Sequence, residues 1–310
     1  MTAPSRLYTA YGLVIASELE LDYLAPGDGA ADVTITVGET PAALEGEVIR
    51  FANWQALPGR FLIAIADIGR FLVTDGRSIA VEPAPGVAHD DLVAYLLGSA
   101  LAALLQQRRI LPLHASALQT EFGAILIAAT SGTGKSTLAG ALQARGLAQM
   151  ADDVTGIVFD PAGRAMALSA FPGVRLWPDS VTALGRQDDN SRPVRPGLDK
   201  AYLRIENFCA EPQPIRAVIG LEVHNRPDIS VTPLPAQDRA SWIISHTFRK
   251  RFMRGHGLND FHFQAATALA RQVEMIRLRR PSEGGGVDAL ADRVLGLVQS
   301  NRAWTTDLEA

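Results

Sequence analysis

The stretch that most constrains this chain is Ser131-Gly132-Thr133-Gly134-Lys135-Ser136-Thr137, which follows an apolar run over 124–129 and leads into a helical stretch that Gly146 ends. A strand that delivers a glycine-rich turn into a helix N-terminus aims several backbone N–H groups at one point, and a phosphate fits there. The general P-loop pattern is G-x-x-x-x-G-K-[S/T]. Gly134-Lys135-Ser136 match its second half, and Ala129 stands at the first glycine position, small enough to keep the loop entrance narrow. On this reading Ser131, Gly132, Thr133, Gly134, Lys135, Ser136 and Thr137 hold nucleotide phosphates. Lys135 bridges the β- and γ-phosphates, and the Ser136 hydroxyl ligates Mg²⁺. No Asn/Thr-Lys-x-Asp guanine signature follows, so ATP is expected rather than GTP.

A short segment over 148–151 then delivers Asp152 and Asp153. It is expected to be a strand beside the loop strand. Adjacent carboxylates at a strand end point in opposite directions, so one can hold the metal while the other accepts a proton from an attacking hydroxyl. His114 falls on an expected strand over 111–118; a lone histidine in such a place is ordinarily structural.

The rest of the chain divides around this core. Hydrophobic residues make up 47% of the 310 and charged ones 20%, which describes a globular protein. The net charge of −4 argues against general nucleic-acid binding. The lone Cys209 excludes a disulfide framework and a cysteine zinc cluster, and fits a reducing cytoplasm. The N-terminus lacks a signal-peptide core. The longest apolar run, 92–105, is shorter than the roughly 18 residues of a membrane span, so no membrane partner is expected.

Residues 1–87 read as a β-rich N-terminal domain, with strands over 32–37, 61–66, 71–74 and 79–81 and turns at Gly69 and Asp75-Gly76, a meander of hairpins. Residues 88–109 form a connecting buried helix. Residues 110–310 form the P-loop domain, giving an α/β fold with a nucleotide-binding core. There the pattern predicts a hairpin joining 111–118 to 124–129, strands over 154–159 and 165–168, and a short helix over 178–184. It predicts a mobile loop over 185–200 and a strand over 217–223 with 229–232 as its neighbour. Helices are expected over 236–254, 258–272 and 287–299, with a strand over 275–278.

Glu18, Glu20 and Asp22, at alternate positions of an extended segment, read as a solvated face rather than a metal site. His246, His256 and His262 have no ligand spacing. The stretch TFRKRFMRGHG over 247–257 sets basic residues among aromatic ones. It reads either as a groove for an acidic peptide or as a basic helix end whose aromatics pack inward. Arg277, Arg279 and Arg280 carry the same two readings.

Taken together, His114-Ala115-Ser116-Ala117-Leu118, the 131–137 loop, and Arg145-Gly146-Leu147-Ala148-Gln149-Met150-Ala151-Asp152-Asp153 resemble the HPr kinase/phosphorylase family. The resemblance implies an HPr-kinase-like core and an ATP- and Mg²⁺-dependent kinase acting on a serine hydroxyl of a protein or peptide. Residue by residue it implies Asp153 as the acid/base, His114 as its neighbour, Lys135 as the phosphate-binding lysine, Ser136 as Mg²⁺ ligand and Asp152 as metal support. It also implies an arginine that steadies the transferring phosphoryl group, for which Arg175, Arg192, Arg195 and Lys200 stand as candidates. Arg195 is the one chosen, since Val194-Arg195-Pro196-Gly197 resembles a family loop. Arg175, Arg249 and Arg251 are the residues assigned to the substrate side. The sequence departs from the family over 171–179, where no counterpart of the Mg²⁺-linked glutamate occurs, so that second ligand is not carried over. Tyr11-Gly12-Leu13, Asp32-Val33 and Val174-Arg175-Leu176-Trp177-Pro178-Asp179 resemble the smaller branch associated with lasso-peptide biosynthesis. That implies phosphorylation of the C-terminal serine of a precursor peptide. A homo-oligomer is compatible with the sequence. The alternatives are an HPr-type protein serine kinase, a nucleotide-sensing P-loop protein that lacks peptide kinase activity and, less favoured, a small-molecule kinase.

Overall fold

Alternation of apolar and polar residues builds the N-terminal sheet one strand at a time. The computed structural model describes residues 5–176, 192–195, 198–282, 286–300 and 304, of which 174–176, 192–195 and 198–204 are described by their backbone alone. The strands are β1 (Arg6–Ala10), β2 (Leu13–Ser17), β3 (Ala25–Pro26), β4 (Val33–Val37), β5 (Ile49–Arg50), β6 (Trp54–Leu57), β7 (Arg60–Ile65), β8 (Gly69–Thr74) and β9 (Ser78–Pro83). Val33 and Ile35 of β4 are buried and Thr34 between them is exposed, the side-chain period of two made visible. The sheet order is β3-β1-β2-β4-β9-β8-β7-β6-β5. The expected antiparallel meander holds from β5 to β9. β4, however, lies parallel to both β2 and β9, because the long connections on either side of it allow a crossover that tight turns do not.

The connecting helix is three pieces: α1 (His89–Tyr95), a π-helical turn over Leu96–Ala100, and α2 (Leu101–Gln107). Asp90 and Asp91 sit in its first turn, where the helix dipole favours them. Leu92, Leu96, Leu101 and Leu104 are at most 3% exposed, and each burial contributes about 2 kcal/mol. These leucines belong to one apolar cluster that runs from Ile15, Phe61 and Phe71 of the first sheet to Leu126 and Met150 of the second.

The second sheet is built from β10 (Leu111–Leu113), β11 (Ala115–Thr120), β12 (Gly123–Ala129), β13 (Ala148–Ala151), β14 (Thr155–Phe159) and β15 (Ala165–Leu168). After the three-stranded sheet β16 (Gly173–Leu176), β17 (Arg192–Arg195) and β18 (Leu198–Arg204) come β19 (Gln213–His224), β20 (Ser230–Pro233) and β21 (Glu274–Pro281). Its order is β10-β14-β15-β19-β12-β11-β13, with β21 on β19 and β20 on β21. β12 is buried along its whole length. Leu126 and Ala128 face the first cluster while Ile125 and Ile127 face a second one, against α3 (Lys135–Ala144). That two-sided burial explains its unbroken apolar run. The remaining helices are α4 (Ala236–His246), α5 (Lys250–Gly255), α6 (Asn259–Gln272) and α7 (Val287–Gln299).

Several elements differ from what the pattern predicts. The strand expected over 111–118 is two strands broken at His114, since β10 pairs β14 whereas β11 pairs β12 and β13. The strand before the acid pair lies beside β11, not beside the loop strand, because the β11–β12 hairpin fills that edge. The strand near 229–232 pairs β21 rather than β19, whose edge β21 occupies in parallel. The helix expected over 236–254 is two, because Thr247 is extended and Arg249 is left-handed at φ 53°. Within the loop expected over 185–200, residues 192–195 and 198–200 are strand; the helix expected over 178–184 lies outside the described residues. Among the acidic positions read as a solvated face, Glu18 accepts from the Val37 N–H and Glu20 pairs with Arg6.

Candidate functional site

The loop after β12 is shaped by two glycines and two threonines. Gly132 and Gly134 are left-handed, at φ 83° and 103°, a region that costs other residues roughly 1–2 kcal/mol. The Thr133 amide donates to the Thr130 carbonyl at 3.2 Å, and the two threonine hydroxyls lie 2.8 Å apart. α3 begins at Lys135, with the Leu138 amide donating to the Gly134 carbonyl at 2.9 Å. Arg280, from the last described strand, donates through Nε to the Thr133 carbonyl at 3.0 Å. The backbone turn is therefore held from both sides.

Lys135 is 8% exposed, and a buried ammonium must be partnered. Its Nζ donates to the Asp152 carbonyl at 2.6 Å and to the Ser116 hydroxyl at 3.3 Å, and lies 3.5 Å from Asp153 Oδ1. Ser116 itself donates to the Asp152 carbonyl at 2.5 Å, with Asp152 Oδ1 at 3.4 Å. Asp152 is buried, whereas the Asp153 side chain remains 38% exposed. The adjacent acids thus face different surroundings, one packed beside β11 and the other open to an incoming group.

His114 reaches the same carboxylate from the break between β10 and β11. Its Nδ1 lies 3.0 Å from the Asp153 carbonyl and 3.4 Å from Asp153 Oδ1. Both partners can only accept, so Nδ1 carries the proton and Nε2 is left as the ring's other face. The break is fixed by the α4–α5 connection. The His114 amide donates to the His246 carbonyl at 2.8 Å, and the Phe248 amide donates to the Pro112 carbonyl at 2.7 Å. The Phe248 and His114 rings stand 5.7 Å apart.

Two clefts meet at Thr130 and His246. One, of about 610 Å³, is lined by Ser131, Gly132 and Thr133, by residues 220–223 at the end of β19, and by Trp242. The other, of about 830 Å³, runs from His114, Ala129 and Thr130 along residues 245–252 to Trp54, Ile63 and Ile65 of the first sheet. The Arg249 guanidinium stands 5.3 Å over the Phe248 ring. Desolvation pushes it below the ordinary arginine range, while Tyr95 and Asp153 pull the other way. Burial likewise lowers His246, whose ring stacks on Trp242 at 3.7 Å.

The structure therefore brings together His114, Lys135, Asp152 and Asp153, with the 131–137 loop on one flank and Arg249 and Arg251 in the neighbouring cleft. It does not join Arg277 or Arg279 to them, since Glu222 takes both. Arg175 and Arg195 lie on the three-stranded sheet, where the backbone alone is described. The sequence reading gave no role to Ser116 or Tyr11. A serine in an apolar strand was the available signal for the first; the second needed the fold, since the Tyr11 hydroxyl donates to the Val154 carbonyl at 3.1 Å. Among the described residues, no group of three or more His, Cys, Asp or Glu side chains is placed to hold a metal by itself. No described helix is long and apolar enough to cross a membrane.

Neither a protein-family model nor a curated protein sequence matches the chain. Among solved structures it is similar to the HPr(Ser) kinase/phosphatase from Coxiella burnetii, at 12% identity, over 64% of this chain and 99% of that one, with a TM-score of 0.31. The similarity is distant.

Proposed function

We propose that this chain is an ATP-dependent kinase that transfers the γ-phosphate to a serine hydroxyl of a peptide or small protein. One observation carries the reading: Asp153 Oδ1 lies 3.5 Å from the Lys135 ammonium and 3.4 Å from the His114 ring, at the mouth of a glycine-shaped loop that opens a helix. A phosphate-holding cation and a proton-accepting carboxylate within one contact are what phosphoryl transfer to a hydroxyl requires.

In this proposal the amides of the 131–137 loop and the start of α3 hold the β-phosphate. Lys135 turns from the Asp152 carbonyl toward the β- and γ-phosphates. The side chains at the loop that could ligate a cation, hydroxyls and the two carboxylates of Asp152 and Asp153, offer oxygen and suit Mg²⁺, which binds through one or two carboxylates plus phosphate. Ser136 and Asp152 would hold it, and when bound it neutralises charge on the transferring group. Asp153 accepts the proton of the serine hydroxyl as its oxygen bonds to the γ-phosphorus. The bridge to the β-phosphate breaks, and ADP leaves with the bonding pair. His114 fixes the Asp153 carboxylate through its Nδ1–H.

For the acceptor we take the C-terminal serine of a lasso-peptide precursor, which rests on the family resemblance. The protein is taken to work in the cytoplasm. Incubation with labelled ATP and candidate serine peptides, read by mass spectrometry, should show the gain of one phosphate. Nucleotide binding without any transfer to a peptide would instead select the nucleotide-sensing alternative.

A further inference from the structure

The larger cleft has two walls of different chemistry, and they come from segments nearly two hundred residues apart in the chain. One wall is apolar and belongs to the first sheet: Trp54, Ile63 and Ile65 of β6 and β7. The other belongs to the α4–α5 connection and bears Phe248, Arg249, Lys250 and Arg251. Aspartate and glutamate are absent from the described lining. Lys250 and Arg251 are exposed and take part in no ion pair among the described residues.

The walls are locked together. Phe252 meets Trp54 edge-on with ring centroids 5.0 Å apart and lies 4.4 Å from Phe61. Gly255 lets α5 approach so closely that an added Cβ would fall 2.8 Å from Ala56 and from the Trp54 ring. One end of the cleft opens at His114 and Thr130, beside Asp153. The cleft on the other flank of Thr130 takes in the backbone of 131–133. In-line transfer needs donor and acceptor on opposite sides of the moving phosphoryl group.

We infer that the first sheet is the acceptor-selecting wall of the site, and that its occupant is a peptide segment carrying a large apolar side chain beside a carboxylate. The apolar side chain seats on Trp54, Ile63 and Ile65, and the carboxylate pairs with the cations of 249–251. The hydroxyl is thereby left at Asp153. A volume of about 830 Å³ accommodates several residues of such a segment. Charge complementarity selects the peptide, since a cationic rim with no acid in its described lining repels basic segments. This inference rests on the kinase reading for its orientation, but the docking can be measured without transfer.

The probes are fluorescein-labelled serine peptides containing Phe and Glu, with versions carrying Phe→Gly or Glu→Lys, read by fluorescence polarisation. Phosphate gain is followed separately by mass spectrometry. The parent peptide should bind about tenfold tighter than either version, the worth of one buried apolar side chain or one good charge pair. Asn53→Glu, at an exposed position in the apolar wall, should weaken the parent about tenfold. Arg251→Glu should reverse the preference toward the lysine version. Those results support the wall whether or not phosphate is transferred. Binding that ignores the Phe and Glu positions, or variants that leave it unmoved, overturns the inference. So does a single-stranded oligonucleotide that binds more tightly than the parent peptide. Indiscriminate phosphorylation overturns it while leaving the kinase reading intact, and selective binding without transfer does the reverse.

Discussion

The hydroxyl of Tyr11 donates to the carbonyl of Val154 at 3.1 Å, in a buried contact between the β1–β2 turn and the residue that follows the acid pair. The Tyr11 amide also donates to the Ser169 carbonyl, at 2.8 Å. The turn at φ 55° for Tyr11 and 69° for Gly12 is what lets the chain reverse there and push the ring inward. The N-terminal sheet therefore props the backbone on which Asp153 sits.

Removing that hydroxyl by Tyr11→Phe leaves the Val154 carbonyl without this donor. Stability should fall by about 1 kcal/mol, measured by urea denaturation. Phosphate transfer should drop through kcat more than through the KM for ATP, because the loop of 131–137 is untouched. A fall in ATP affinity alone would sink this assignment.

Asp153→Asn keeps an oxygen that can accept from His114 Nδ1 and face Lys135, so the local geometry persists. The variant should bind nucleotide as the parent does and lose transfer by about 10²–10⁴-fold, the usual worth of a positioned base. Isothermal titration with a nonhydrolysable ATP analogue and a peptide phosphorylation assay separate the two effects. Transfer at the parental rate would remove Asp153 as the base.

Gly255→Ala places a Cβ 2.8 Å from Ala56 and the Trp54 ring, and the resulting overpacking should cost about 1–3 kcal/mol. Trp54 should become more exposed, with a red shift in its emission. Gly296→Ala is the contrasting case: it lies in α7, exposed, with nothing within 4 Å of an added Cβ. It should stabilise by up to about 1 kcal/mol, since helical glycine is costlier than alanine. Thermal melts of the two variants should therefore move in opposite directions.

His256 is 3% exposed, packs 5.5 Å from the Phe61 ring, and among the described residues has no hydrogen-bond partner on either ring nitrogen. Burial pushes it down to about 4 from the ordinary 6.5. Below pH 6.5 the unfolded chain takes up a proton that the folded protein refuses, so folding stability is full above that pH and falls as the pH drops toward 4. The loss is about 1.4 kcal/mol per pH unit over that window, roughly 3 kcal/mol in all. His246 and His262, also lowered by burial, add to it in the same sense. In His256→Phe the slope of melting temperature against pH between 4 and 6.5 should flatten; an unchanged slope would locate the acid sensitivity elsewhere.

Local pattern was sufficient where an element answers to its own neighbours. The loop of 131–137, the helix after it, the β11–β12 hairpin and α7 all follow from apolar period, glycine placement and turn residues. Pattern failed where a long-range partner decides. The run over 111–118 reads as one strand, but the amide of His114 is taken by His246, over a hundred residues on. The basic stretch over 247–257 reads as a helix end or as a groove. The extended Thr247 and left-handed Arg249 turn residues 248–251 toward the cleft, and Phe252 packs inward on Phe61 as a helix end does.

What the sequence by itself determined is the chemistry on offer: a glycine-shaped turn, a lysine, a hydroxyl and two adjacent acids within one short stretch, where spacing along the chain already dictates neighbourhood. What only the tertiary structure decided is which side chains join them. Ser116 meets Lys135 because β11 lies between the loop strand and the acid-bearing strand. Tyr11 reaches the backbone beside Asp153, and Trp54 lines the cleft that opens at His114, because the helix of 89–107 fuses both sheets into one apolar cluster. Such contacts follow from burying area that no single segment can bury alone, and that is a property of the whole fold.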